Sequence, residues 1–237
     1  DNTLMPDSIT QLLEEHHLDA HKFWFEDVQK LTTEGYEPVH ASLNAFLSYI
    51  GPDKPLGALT RSDLRKFGSR IDHTFYPGLE DMIQTLPQIV RNSGVPNIDV
   101  ELFVVSGGLQ DIIEGTGIID KHFRASYNGT TAKTVWGSQL AGDTKDGVLK
   151  YIKRAITFTE KTRYLFEINK GINPLTNHES VNTLDIEYAK RKIPFSNMVY
   201  VGDGFTDIPS FSLITKNRGA DGLGRGHAYL IMDEEPD

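Results

Sequence analysis

The apolar positions divide the chain at about residue 74. Before that point they recur with a helical period. Ser8 followed by Gln11 has the form of a capping box, and Ile9, Leu12, Leu13 and His16 then share one face. Asp19 is placed to cap a second helix carrying Phe23, Trp24, Val28 and Leu31. Pro38 stands where a first-turn proline belongs, ahead of Val39, Leu43, Phe46, Leu47 and Ile50, and Gly51-Pro52 ends that helix. Thr60 with Asp63 starts a fourth, burying Leu64, Phe67 and Ile71. Four helices in succession predict a helical module.

After residue 74 the texture changes. Pro77-Gly78 opens a helix with Leu79, Met82, Ile83, Leu86 and Val90 on one side. Residues 98–105 form an apolar run with β-branched side chains that ends in Ser106-Gly107-Gly108. A second strand–glycine–helix unit runs through residues 198–201, Gly202-Asp203-Gly204 and a helix near 208–214, and residues 228–231 read as a last strand. The stretch 127–147, rich in Gly and Thr, reads as loop or small hairpin. Buried strands separated by helices predict an α/β fold, a Rossmann-like, mainly parallel sheet with helices on both faces. In such sheets chemistry collects at the carboxyl ends of strands.

Composition narrows the class. The 237 residues carry 24 Lys+Arg against 33 Asp+Glu, a formal net charge of −9, which argues against a nucleic-acid partner. Hydrophobic residues make up 38%, enough for a real core. No apolar run approaches the roughly 18 residues that span a bilayer, and no charged-then-apolar leader opens the sequence, so no membrane partner and a cytoplasmic location are expected. The absence of cysteine excludes disulfides, thiolate metal sites and cysteine nucleophiles.

Four polar clusters fall at expected strand ends or helix starts: Asp1-Asn2-Thr3-Leu4, Ser106-Gly107-Gly108, Lys161-Thr162, and residues 202–207. They supply carboxylates, a hydroxyl beside two glycines, and a lysine. Carboxylate oxygens suit Mg²⁺, whose remaining positions suit phosphate oxygens. Ser106 can donate to a phosphate, and the glycines let backbone N–H groups approach an anion at a helix start. Lys161 follows the apolar segment 155–158 and is expected at a strand end. Together these groups would neutralise a transferring phosphoryl group.

In this order the clusters resemble the haloacid dehalogenase-like (HAD) hydrolases, in the phosphoserine-phosphatase-like branch. Asp1-Asn2-Thr3-Leu4 looks like the end of motif I (Asp-x-Asp-x-Thr), Val104-Val105-Ser106-Gly107-Gly108 like motif II, Lys161 like motif III, and Val201-Gly202-Asp203-Gly204-Phe205-Thr206-Asp207 like motif IV. Tyr76-Pro77-Gly78-Leu79 is similar to the family's re-entry into the core after a helical cap. The resemblance implies a core of residues 1–8 and 74–237 with a cap at 9–73. It implies Mg²⁺-dependent hydrolysis of a small phosphorylated substrate, a phosphate monoester, through an aspartyl-phosphate.

Asp1 matches the acid–base aspartate. The nucleophile would lie two positions earlier, outside the given chain, so the native protein is expected to begin several residues upstream with an apolar strand ending in Asp. By the resemblance, that missing aspartate, the main-chain carbonyl of Asp1, Asp203 and waters would hold the metal, with Asp207 supporting it directly or through water. Ser106, Gly107 and Lys161 would bind the phosphoryl oxygens, with Lys170, followed by Gly171, as the rival lysine. The other readings are a catalytically silent phosphate-ligand binder and a hydrolase acting on a carbon–halogen bond.

Other features read as structural. His17 and His21 with Glu14 lack the helical zinc-protease signature and read as a solvated helix face. Gly222, Gly224 and Gly226 lack dinucleotide-loop spacing, and residues 143–147 lack the later ligands of a calcium loop. Phe23, Trp24 and Phe25 read as cap core. His40, Arg70 and His73 are candidate specificity contacts.

Overall fold

A computed structural model describes residues 2–127, 130–171, 181, 191–216 and 225–231. The chain is α/β, and its contacts divide it into two units. The first comprises Asp1–Ser126 with Lys133–Ile156, and the second Tyr127–Ala132 with Thr157–Asp237. This division does not follow the expected cap boundary at 73/74. The physical reason is a shared core in the first unit: Ile9, Leu12, Phe46, Leu64 and Phe67 belong to one apolar cluster with Leu109, Ile112, Leu140 and Leu149.

The helices begin and end much as local chemistry requires. In α1 (Ser8–Glu15) the cap is Asp7, whose carboxylate accepts from Thr10 N–H at 2.7 Å, so Ser8 is the first helical residue rather than the cap. Asp19 accepts from Lys22 N–H at the start of α2 (Ala20–Lys22), which continues through a π-helical turn at Phe23–Val28 into α3 (Gln29–Thr33). Pro38 opens α4 (Pro38–Ser48). Thr60 and Asp63 form a reciprocal capping box on α5 (Arg61–Gly68). Gly78, at φ 83°, precedes α6 (Leu79–Arg91). Phe23 is core, whereas Phe25 is 61% exposed and stacks on His21, so Phe25 is not part of the core.

The sheet of the first unit is mixed. Strand β1 (Val104–Leu109) leads into α7 (Gln110–Gly115) and α8 (Gly117–His122), and short strands β2 (Ala125–Tyr127) and β3 (Thr130–Ala132) follow. Strand β4 (Val135–Gly142) pairs parallel with β1 and antiparallel with β5 (Leu149–Arg154). The expected strand at 98–105 is displaced: β1 starts only where β4 offers a partner, with Val104 N–H bonded to Thr134 O and Val104 opposite Val135. The reading of 127–147 as loop or small hairpin is met in part by the two-stranded β2–β3 sheet and corrected at residues 135–142, which form β4. Val135–Ser138 is fully buried, and its small residues are forced by contact, since a Cβ on Gly137 would lie 2.8 Å from the Gln110 backbone. Gly137 and Ser138 therefore interrupt the apolar residues of that central strand, Val135, Trp136 and Leu140.

Helix α5 is fixed to α7 at van der Waals limits. A Cβ on Gly68 would meet Ile112 O at 2.2 Å, and one on Gly115 would meet Arg65 O at 2.3 Å. Buried Asp111 accepts from Arg61 Nε at 2.8 Å and Arg65 Nε at 2.9 Å across this crossing.

The second unit contains α9 (Glu160–Lys170), strand β6 (Val199–Gly202), α10 (Ile208–Lys216) and strand β7 (His227–Leu230). Here β6 and β7 pair in parallel, Val199 opposite His227 and Gly202 opposite Leu230. No helix among the described residues is long and apolar enough to cross a membrane.

Candidate functional site

The densest polar constellation in the second unit forms where β6 ends. Alternation along β6 leaves Val199 and Val201 exposed and turns Tyr200 inward, edge-on to Phe211 of α10 at 5.6 Å. The chain then makes the turn Gly202-Asp203-Gly204, and a single 3₁₀ turn (Phe205–Asp207) feeds α10. Gly202 is required by close approach: a Cβ there would lie 2.5 Å from Asp207 Cγ. Gly204 N–H faces Asp207 Oδ2 at 3.4 Å.

Asp207 is almost wholly buried, and its Oδ1 accepts from Lys161 Nζ at 2.7 Å and Tyr200 OH at 2.6 Å. Lys161 Nζ also donates to Thr206 Oγ1 at 3.1 Å. The Lys161 and Asp207 side chains are 10% and 3% exposed, so this is a largely buried ion pair. Burial first, and then the adjacent Asp207 charge, push the Tyr200 phenol far above the ordinary tyrosine range, so Tyr200 stays a neutral donor.

The structure thus brings Lys161 and Asp207 together, with Thr206 and Tyr200. Lys161 does not sit at a strand end, however. Strand β5 stops at Arg154 opposite Gln139, and Lys161 lies in the first turn of α9, its N–H bonded to Thr157 O. Lys170, at the far end of α9, donates instead to Val181 O, and burial lowers its pKa. Asp203 is half-buried, one residue past β6. Asp1 lies outside the described residues.

Ser106 and Gly107 belong to the first unit. They lie inside β1, not in a turn after it, and they form a bulge. Between the pairs Val105–Trp136 and Leu109–Ser138, residues 106–108 stand opposite Gly137 alone. Ser106 Oγ accepts from Gly108 N–H at 3.0 Å, and a Cβ on Gly107 would meet Ile156 O at only 3.5 Å.

Sequence reading missed Tyr200 and gave Thr206 no role of its own. The signal for Tyr200 was a hydroxyl in an otherwise apolar strand, two residues ahead of Gly202. Of the features read as structural, His17 leaves helical geometry at φ 56° and so shares no helix face with His21. Gly222 and Gly224 lie outside the described residues. Asp143–Gly147 is the β4–β5 turn, in which Asp143 O accepts from Gly147 N–H and Asp143 Oδ1 from Lys145 N–H.

The carboxylates of Asp203 and Asp207 are hard oxygen donors of the kind Mg²⁺ accepts, so the residues at the turn fit that ion in chemistry. Among the described residues no group of three or more His, Asp or Glu side chains gathers to hold a metal. The oxygen of Asp207 facing Lys161 already accepts from two donors.

No family model matches the chain. An uncharacterized protein of Borreliella burgdorferi (strain ATCC 35210 / DSM 4680 / CIP 102532 / B31) is 26% identical over 230 residues, covering 90% of this chain and 75% of that protein.

Proposed function

We propose that this chain is a HAD-type phosphatase that hydrolyses a phosphate monoester with Mg²⁺. The observation that carries the reading is the buried Lys161–Asp207 pair packed under the glycine turn after β6. A lysine held this way presents a fixed positive charge to a phosphoryl group, and phosphoryl transfer is catalysed mainly by positioning and charge. Within the first unit β1–β4 is parallel beside the antiparallel β4–β5, and within the second β6–β7 is parallel, the pairing direction that a Rossmann-like sheet uses. The helices of residues 9–73 are the cap in this reading.

Roles follow by residue. Lys161 binds a phosphoryl oxygen, Thr206 and Asp207 hold its ammonium in place, and Asp203 would ligate Mg²⁺. Bound there, the ion would neutralise phosphoryl charge. Asp1 is the acid–base in this reading.

The test is phosphate release from p-nitrophenyl phosphate by the full-length protein. Turnover that EDTA abolishes and Mg²⁺ restores is expected, with Lys161→Met lowering kcat at least about 100-fold, the scale of one lost electrostatic donor. Turnover insensitive to EDTA would overturn the metal. Tight phosphate binding without turnover would favour a silent binder instead.

A further inference from the structure

Resting on that reading, we propose that Tyr200 is a positioning residue whose hydroxyl fixes Asp207 so that Asp207 aims the Lys161 ammonium. A lysine side chain has four rotatable bonds, and one carboxylate oxygen does not by itself define where its three N–H groups point. Here the carboxylate is itself immobilised. Tyr200 OH and Lys161 Nζ share Oδ1, Gly204 N–H approaches Oδ2, and the bare backbone of Gly202 lets Asp207 sit this close.

Tyr200 suits the task because its ring has two torsions only. Strand β6 holds it from one side and Phe211 abuts it edge-on from the other. Two Lys161 N–H groups then point at Asp207 and Thr206, which leaves the third for a phosphoryl oxygen.

Tyr200→Phe removes the hydroxyl and keeps the ring. The readout is limited acetylation of the full chain by acetic anhydride without substrate or metal, with Lys161 mapped by mass against Lys170 as internal reference. Tyr200→Phe is expected to raise Lys161 labelling about five-fold, the equivalent of one hydrogen bond. Phe211→Leu, which loosens packing and keeps the hydroxyl, should leave it within about two-fold.

An unchanged Lys161 rate in Tyr200→Phe would overturn the proposal, as would an equal rise in Phe211→Leu. Should Tyr200→Phe fail to fold, Asp207→Asn must raise Lys161 labelling at least as much, or the proposal falls. With p-nitrophenyl phosphate, Tyr200→Phe should lower kcat and leave KM unmoved. Increased labelling in a protein with no turnover would keep the positioning role and discard the phosphatase. Turnover in wild type with unchanged labelling would do the reverse.

Discussion

Asp111 in the first unit and Asp207 in the second are both buried carboxylates against cations, and the two sites use the same ingredients differently. In the first unit, Asp111 is 2% exposed, but its partners Arg61 and Arg65 are 41% and 51% exposed. Their planar guanidinium groups reach over from α5 and bind across its contact with α7, next to the glycine crossing of Gly68 and Gly115. That is architecture: two half-solvated anchors holding two helices together. In the second unit, Lys161 and Asp207 are both largely buried. Lysine is a compact charge rather than a fork, and its companions are a tyrosine and a threonine beside a glycine turn. The pair ties α9 to the turn that feeds α10, and in the proposed reading the same charge would also meet a phosphoryl anion.

The largest expected effect separates the two. Asp207→Ala leaves an ammonium buried without its counter-charge, which should cost about 3–5 kcal/mol in urea unfolding. Asp111→Ala leaves two arginines that can rehydrate, and should cost less, about 2 kcal/mol. Hydrogen exchange assigns each loss to its region, α9, β6 and α10 in the first case and α5 and α7 in the second. A larger loss in Asp111→Ala would break the comparison. It sharpens if Lys161→Met with Asp207→Leu restores most of the stability, because apolar replacement of a whole buried pair is often neutral.

The second effect concerns the crossing alone. Gly115→Ala puts a methyl 2.3 Å from Arg65 O, a backbone atom that moves only if the two helices separate. We expect about 2–3 kcal/mol of destabilisation, read as a lowered urea midpoint. Gly204→Ala, where an added Cβ meets nothing within 4 Å, is the matched control and should lower the midpoint far less.

These contrasts also explain what was legible in the sequence. Caps and turns were legible because their chemistry is local: Asp19, Pro38, the Thr60–Asp63 box and Gly78 act within four residues. The pairing of Lys161 with Asp207 could be anticipated only through motif order, and the reason first assigned to Lys161, a strand end, was wrong. Its position depends on where β5 stops, which β4 decides from a distance. Strand β4 was missed because its Gly137 and Ser138 answer to neighbours, Gln110 and the Ile156 N–H, that lie far away along the chain. Tyr200 escaped for the same reason: its partner Asp207 is across a turn, not on the strand.

The smallest effect tests the architectural site through pH. Asp63 caps α5, the helix that carries Arg61 and Arg65, and its pKa lies below the usual aspartate value. The Thr60 hydroxyl is the main cause, and the Thr60 N–H and Lys66 act in the same direction against partial burial. A depressed folded pKa means that the native state favours the carboxylate. The stabilisation is therefore complete above the unfolded value of about 4 and is lost as pH falls through the lower folded value. Asp63→Ala should cost about 1 kcal/mol at pH 7, the ordinary value of a cap, and the gap to wild type should narrow below pH 4. Paired urea curves at pH 7 and pH 3 measure it. A gap unchanged by acid would mean that the cap works through packing, and that α5 is held on α7 by glycine contact and Asp111 without help from its own first turn.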